Sequence, residues 1–154
     1  VAILLLSGPS ATPLRAADPE GFAMWKSVEM LAETRMLNKM RRPGEELAAW
    51  GNHRATLMQL DQGPTPFQAH DYSDVLFILN GEGVLTIGSE LVDAKTSEPG
   101  ERRGSAIKDA ETKKISPGDV IHIPAKAAHQ VAPNPGSKLA YVALRIDATG
   151  ASAK

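Results

Sequence analysis

Residues 118–131, Gly118-Asp119-Val120-Ile121-His122-Ile123-Pro124-Ala125-Lys126-Ala127-Ala128-His129-Gln130-Val131, decide how this chain is read. A Gly-Asp corner opens a short β-branched run, a proline ends it, and a histidine follows the turn. Far upstream lies a second polar cluster, Gln68-x-His70-x-x-x-Asp74, and then Gly81. Side chains so distant in sequence meet only where strands fold back over each other, which is how an all-β barrel builds a metal pocket.

The chemistry rests on parity. Successive side chains of an extended segment alternate across the strand, so Gln68, His70, Tyr72 and Asp74 project to one side, and Leu76 and Ile78 follow them. A polar group therefore sits at one end of an apolar interior. A histidine after the Pro124 turn can complete a nitrogen-and-oxygen site with His70 and Asp74, a donor set suited to iron(II), manganese, nickel, zinc or copper. Sulfur is excluded, because the chain has no cysteine for a thiolate-held zinc, an iron–sulfur cluster or a disulfide.

Further out, short runs rich in β-branched or large apolar residues recur: 55–60, 75–79, 84–87, 112–115, 120–123 and 139–146. Asn80-Gly81-Glu82-Gly83 and Ser116-Pro117-Gly118-Asp119 read as tight reversals between them. The spacing predicts a sandwich or barrel over residues 52–147. The polar stretch 93–104 predicts a surface loop, and residues 148–154 a flexible tail.

Before the barrel the period changes. Trp25, Val28, Leu31, Ala32, Met36 and Met40 recur near a 3.6-residue period after Asp18 and Pro19, a cap and a first helical position. This predicts a helical extension over 18–51, its apolar stripe packed on a sheet, with a second short turn over 43–50. Residues 1–17 begin with an apolar run and reach Ala16-Ala17. They predict either a signal-peptide remnant, hence a periplasmic or secreted protein, or a strand-like N-terminal arm on a cytoplasmic one. The run is far below the ~20 residues of a membrane span.

At 154 residues and 42% hydrophobic, the chain can bury one core. Seventeen basic against eighteen acidic side chains give a formal charge of -1, no footprint for nucleic acid or an anionic membrane. Small molecules are the partners this leaves favoured.

Residues 68–88 and 118–134 resemble the two motifs of the cupin superfamily. The first of these runs His-x-His, three or four residues, Glu, six residues, Gly; the second runs Gly, five residues, Pro-x-Gly, two residues, His, three residues, Asn. Gln68 falls at the first His, His70 at the second, Asp74 at the Glu and Gly81 at the Gly. Gly118, Pro124 and His129 match the second motif, with Lys126 and Pro133 in place of its Gly and Asn. The resemblance implies an all-β double-stranded β-helix, a jelly-roll cupin barrel, commonly a homodimer, with a divalent transition metal (iron, manganese, zinc, nickel or copper) held in the barrel mouth by Gln68, His70, Asp74 and His129. It implies a metal-dependent enzyme acting on a small organic molecule, such as a non-haem iron dioxygenase, an isomerase or a lyase. A non-catalytic or structural cupin with a degenerate site is the alternative. Tyr72 and His122 are the candidate catalytic side chains, Tyr72 on the ligand face and His122 on the strand leading to Pro124. Gln68 offers a neutral amide where imidazole binds more strongly, and Asp74 is one methylene shorter than Glu.

Overall fold

The computed structural model describes residues 18–61 and 63–147. The arm or leader expected over 1–17 and the tail at 148–154 lie outside the described residues. One helix, α1 (Ser27–Met40), precedes the strands β1 (Gly44–Ala49), β2 (His53–Leu60), β3 (Gln68–His70), β4 (Tyr72–Asn80), β5 (Gly83–Gly88) and β6 (Glu90–Val92). These are followed by β7 (Lys95–Glu98), β8 (Glu101–Arg103), β9 (Ala106–Lys108), β10 (Glu111–Ile115), β11 (Val120–Ile123), β12 (Ala128–Pro133) and β13 (Leu139–Asp147). All pairings are antiparallel. They give a five-stranded sheet, β1-β2-β13-β4-β11, and a six-stranded sheet, β10-β5-β12-β3-β8-β7, with β6 and β9 paired apart.

Alternation along β13 explains why the five-stranded sheet is buried on both faces. Leu139, Tyr141 and Ala143 point between the sheets and join Leu60, Leu76, Ile78, Leu85, Ile115, Ile123 and Val131 in the barrel core. Val142 and Leu144 point the other way, onto Leu37, Leu57, Trp25 and Trp50 beneath α1. β13 thus serves two cores with its two residue parities.

The two reversals form as their residues require. Gly81 has φ +80° and so little room that a Cβ there would run into the Lys138 carbonyl, so a side chain is excluded on two counts. In the second, Asp119 closes its own corner: the Ser116 N–H donates to Oδ2 at 2.8 Å.

Three expectations are corrected. The helix starts at Ser27, because Gly21 at φ +78° turns the chain and Trp50 Nε1 donates to the Gly21 carbonyl at 2.9 Å. Of its expected buried stripe, Val28, Ala32, Met36 and Met40 are exposed, while Met30, Thr34 and Leu37 face the sheet. Residues 44–49 are strand β1, not a helical turn. Glu, Leu and Ala favour helix, but pairing with β2 decides otherwise, and Gly44 permits the close approach to Leu57. The stretch 93–104 contains β7 and β8, which extend the six-stranded sheet along β3.

Candidate metal centre

The chain changes sheets between β3 and β4. Asp71 is exposed at the crossing and its N–H donates to the Gly100 carbonyl at 2.9 Å, while His70, Tyr72 and Asp74 on either side stay buried. Parity survives this step, so both strand ends deliver side chains to one end of the interior. From the opposite direction, β12 pairs with β3 with His129 directly across from Gln68. The turn before β12 clasps the crossing: Lys126 N–H donates to the His70 carbonyl at 2.6 Å, and Ala125 N–H to Ser73 Oγ at 3.2 Å.

His70, Asp74 and His129 are brought together with one donor atom of each within 4.8 Å of the others. The amide nitrogen of Gln68, whose orientation is interchangeable with its oxygen, lies 3.4 Å from His129 Nε2. His70 Nε2 and Asp74 Oδ2 are 3.7 Å apart. His129 Nδ1 donates to the Ala127 carbonyl at 3.0 Å, which leaves the Nε2 lone pair facing the cluster. His70 has no such anchor. Its plane is held by the Tyr72 ring, stacked at 4.5 Å, and neither of its nitrogens has a hydrogen-bond partner, nor has Asp74 Oδ1.

Burial sets the charge states. It is the main cause that lowers His70 to about 3, aided by His129, Arg145 and Arg103, so this imidazole is neutral at physiological pH and its contact with Asp74 is not an ion pair there. His129 is lowered too, by burial against the opposing effect of its bond to Ala127. Burial raises Asp74 to about 6, with Arg145 pulling it back. All three are thus in their ligating forms near neutrality.

The donor spacing distinguishes two uses of the cluster. Direct hydrogen bonds between such groups run at about 2.7–3.2 Å. The observed 3.4 and 3.7 Å match instead the edge of a coordination tetrahedron, about 3.4 Å for bonds of ~2.1 Å. Two neutral imidazoles, a carboxylate and an amide gathered here, with both His70 nitrogens and Asp74 Oδ1 unpartnered, fit a divalent transition ion.

A cavity of about 500 Å³ reaches this point, with Gln68, Asp74 and His129 in its wall and Leu76, Ile123, Val131, Tyr141 and Ala143 as its apolar body. Its size is that of a small-molecule pocket. Tyr72 is not in that wall: its hydroxyl donates to Glu101 Oε1 at 2.9 Å, and it faces a smaller outer pocket of about 300 Å³. His122 does not join the cluster. It is exposed on the outward face of β11, since its neighbour Ile123 takes the inward parity.

Two side chains that the sequence reading passed over belong to the site. Arg145, across from Asp74 on β13, sets Nε 3.8 Å from Asp74 Oδ1, reaches Glu101 Oε1 at 3.4 Å and lies 4.7 Å over the Tyr72 ring. It was legible as the lone charge in the apolar run 139–146, on the inward parity of Tyr141 and Ala143. Glu101, which lines both pockets, had no such signal within its polar stretch.

No family model matches this chain, and no curated protein matches it in sequence. Solved structures do resemble it. A cupin protein from Bacteroides fragilis aligns over 72% of this chain and 80% of its own, with TM-score 0.51 and 19% identity. The chain has the cupin fold. A cupin-like protein from Thermotoga maritima aligns over 69% of this chain and 68% of its own, with TM-score 0.50 and 14% identity. A Klebsiella pneumoniae protein with a double-stranded β-helix domain aligns over 68% and 75%, with TM-score 0.50 and 9% identity. Within this fold, Lys126 occupies the position of the motif's glycine at φ +70°, a left-handed conformation that costs any L side chain. Among the described residues no helix is long and apolar enough to cross a membrane.

Proposed function

We propose that this cupin binds a divalent transition metal through His70, Asp74 and His129, with the Gln68 amide oxygen as a fourth ligand, and acts on a small organic molecule in the adjoining cavity. The observation that carries this reading is that both His70 nitrogens and Asp74 Oδ1 are buried without hydrogen-bond partners where His70, Asp74 and His129 converge. Leaving buried polar atoms unmatched costs about 1–3 kcal/mol each, a cost an ion removes. When bound, such an ion supplies a Lewis acid and, with two imidazoles and one carboxylate, open positions for substrate or oxygen.

The chain's own groups do the rest. The Ala127 carbonyl fixes the His129 tautomer, and the Tyr72 ring fixes the plane of His70. Arg145 balances the charge of Asp74 and Glu101 without bonding closely to the former, so Asp74 Oδ2 stays free to ligate. Burial and the bond to Glu101 hold the Tyr72 phenol well above its ordinary range, so it acts here as a protonated prop and not as a base.

Zinc and manganese titrations by calorimetry on metal-free protein test this reading. One ion per chain is expected, with binding abolished by His70→Ala and by His129→Ala, and weakened by Asp74→Ala. Unchanged affinity in either histidine variant would refute the assignment.

A further inference from the structure

Register places a row of side chains across four strands of the six-stranded sheet. His129 on β12 lies across from Gln68 on β3, Gln68 from Arg103 on β8, and Arg103 from Lys95 on β7. Residues directly opposite one another share a face, so the row leads from the candidate ligands to the rim in steps of about 4.8 Å. Arg103 lines the cavity and is exposed, which sets it at the mouth. Its neighbour in sequence, Arg102, takes the opposite face and lies 3.6 Å from Asp71.

Two of the acidic groups nearby are already engaged. Glu101 and Asp74 share Arg145, and among the described residues neither Arg103 nor Lys95 makes an ion pair. Arg103 is near enough to His70 to oppose its protonation.

We propose that the molecule this cavity takes is a small organic monoanion, its carboxylate received by the Arg103 guanidinium at the mouth while its apolar body lies against the wall. The planar fork of arginine matches a carboxylate with two parallel hydrogen bonds. Three acids, Asp61, Asp74 and Glu101, and three arginines, Arg41, Arg103 and Arg145, line the cavity, and Arg103 is the arginine in register with Gln68. This rests on the reading of the cavity as the site of a metal-dependent reaction, and it fixes the substrate class.

Phenylacetate and phenylacetamide, alike in shape and different in charge, are the probes. Each is titrated calorimetrically into the full chain, zinc-loaded and metal-free, so that a carboxylate held by the ion is separated from one held by the protein. In the metal-free protein phenylacetate is expected to bind about tenfold more tightly than the amide. Arg103→Gln should reduce that preference to about twofold or less with amide affinity unchanged, and Arg103→Lys should restore part of it. The inference is overturned if the wild type binds neither probe or shows no preference, or if Arg103→Gln keeps the preference. Zinc stoichiometry is read separately. Zinc bound with no Arg103 effect removes this inference alone, whereas an Arg103-dependent preference in a protein that binds no zinc removes the metal reading alone.

Discussion

The two ends of the barrel interior use the same strands for opposite purposes. At the closed end Ile78, Leu85, Ile115 and Leu139 are nearly inaccessible and pack in one core. At the open end the same strand parities present Gln68, Asp74 and Arg145 around a cavity of about 500 Å³. One end supplies stability by burying apolar surface; the other gives some up, because its buried polar atoms lack partners. A single run of alternating residues on β4, Asp74-x-Leu76-x-Ile78, crosses from one regime to the other.

That contrast breaks if the ends respond alike. Leu139→Ala, at the closed end, is expected to cost about 2–5 kcal/mol in denaturant unfolding and to leave zinc stoichiometry unchanged. At the open end the sign reverses. His70→Leu removes two unpartnered buried nitrogens, so the metal-free variant should gain about 1 kcal/mol while losing metal binding. A loss of stability as large as that of Leu139→Ala would erase the distinction.

A pH series sharpens it. His70 is held at about 3 in the folded state against an ordinary 6.5, so between these values the unfolded chain binds the extra proton and stability rises with pH. His129, also lowered, contributes in the same direction. Asp74 is raised from 3.8 to about 6, so the folded chain holds its proton across that window and this contribution falls as pH rises. Between about pH 4 and 6 the carboxylate therefore opposes the histidines. Metal-free Asp74→Asn should show a melting temperature that climbs more steeply over this range than the wild type's; equal slopes would mean that Asp74 titrates as an exposed group. The smallest expected effect lies at the turn between β11 and β12, inside the second motif. Lys126→Gly should relieve the left-handed backbone and stabilise the protein by up to about 1 kcal/mol, measured in urea.

Much of the barrel was legible in the sequence because its signals are local and agree. Val120–Ile123 is a strand as read, and Gly81 and Gly118 turn the chain where expected, both at positive φ. Parity also placed Gln68, His70, Asp74 and the inward Leu76 and Ile78 correctly, even though the chain changes sheets at Asp71. What was not legible depends on partners. Residues 44–49 have helical propensity and become a strand through β2 alone, and 95–103 have no apolar face because β7 and β8 hang from the sheet edge beyond β3. The stripe on α1 was misplaced for a related reason: helical period shows that a face exists, but Trp25 meeting Trp50 at 6.2 Å decides which side turns inward. At the site, His122 lies on the strand leading to Pro124 but faces outward, and Glu101 arrives by cross-strand register that a single motif does not encode, whereas Arg145 stood out as the lone charge in its apolar run.

The most direct measurement is anomalous diffraction from crystals of the protein grown with zinc. The account predicts one strong peak per chain, about 2.1 Å from a nitrogen of His70, from His129 Nε2 and from an Asp74 oxygen. No peak among these three residues at full zinc saturation, or a peak ligated elsewhere while His70 and Asp74 remain unpartnered, would contradict it.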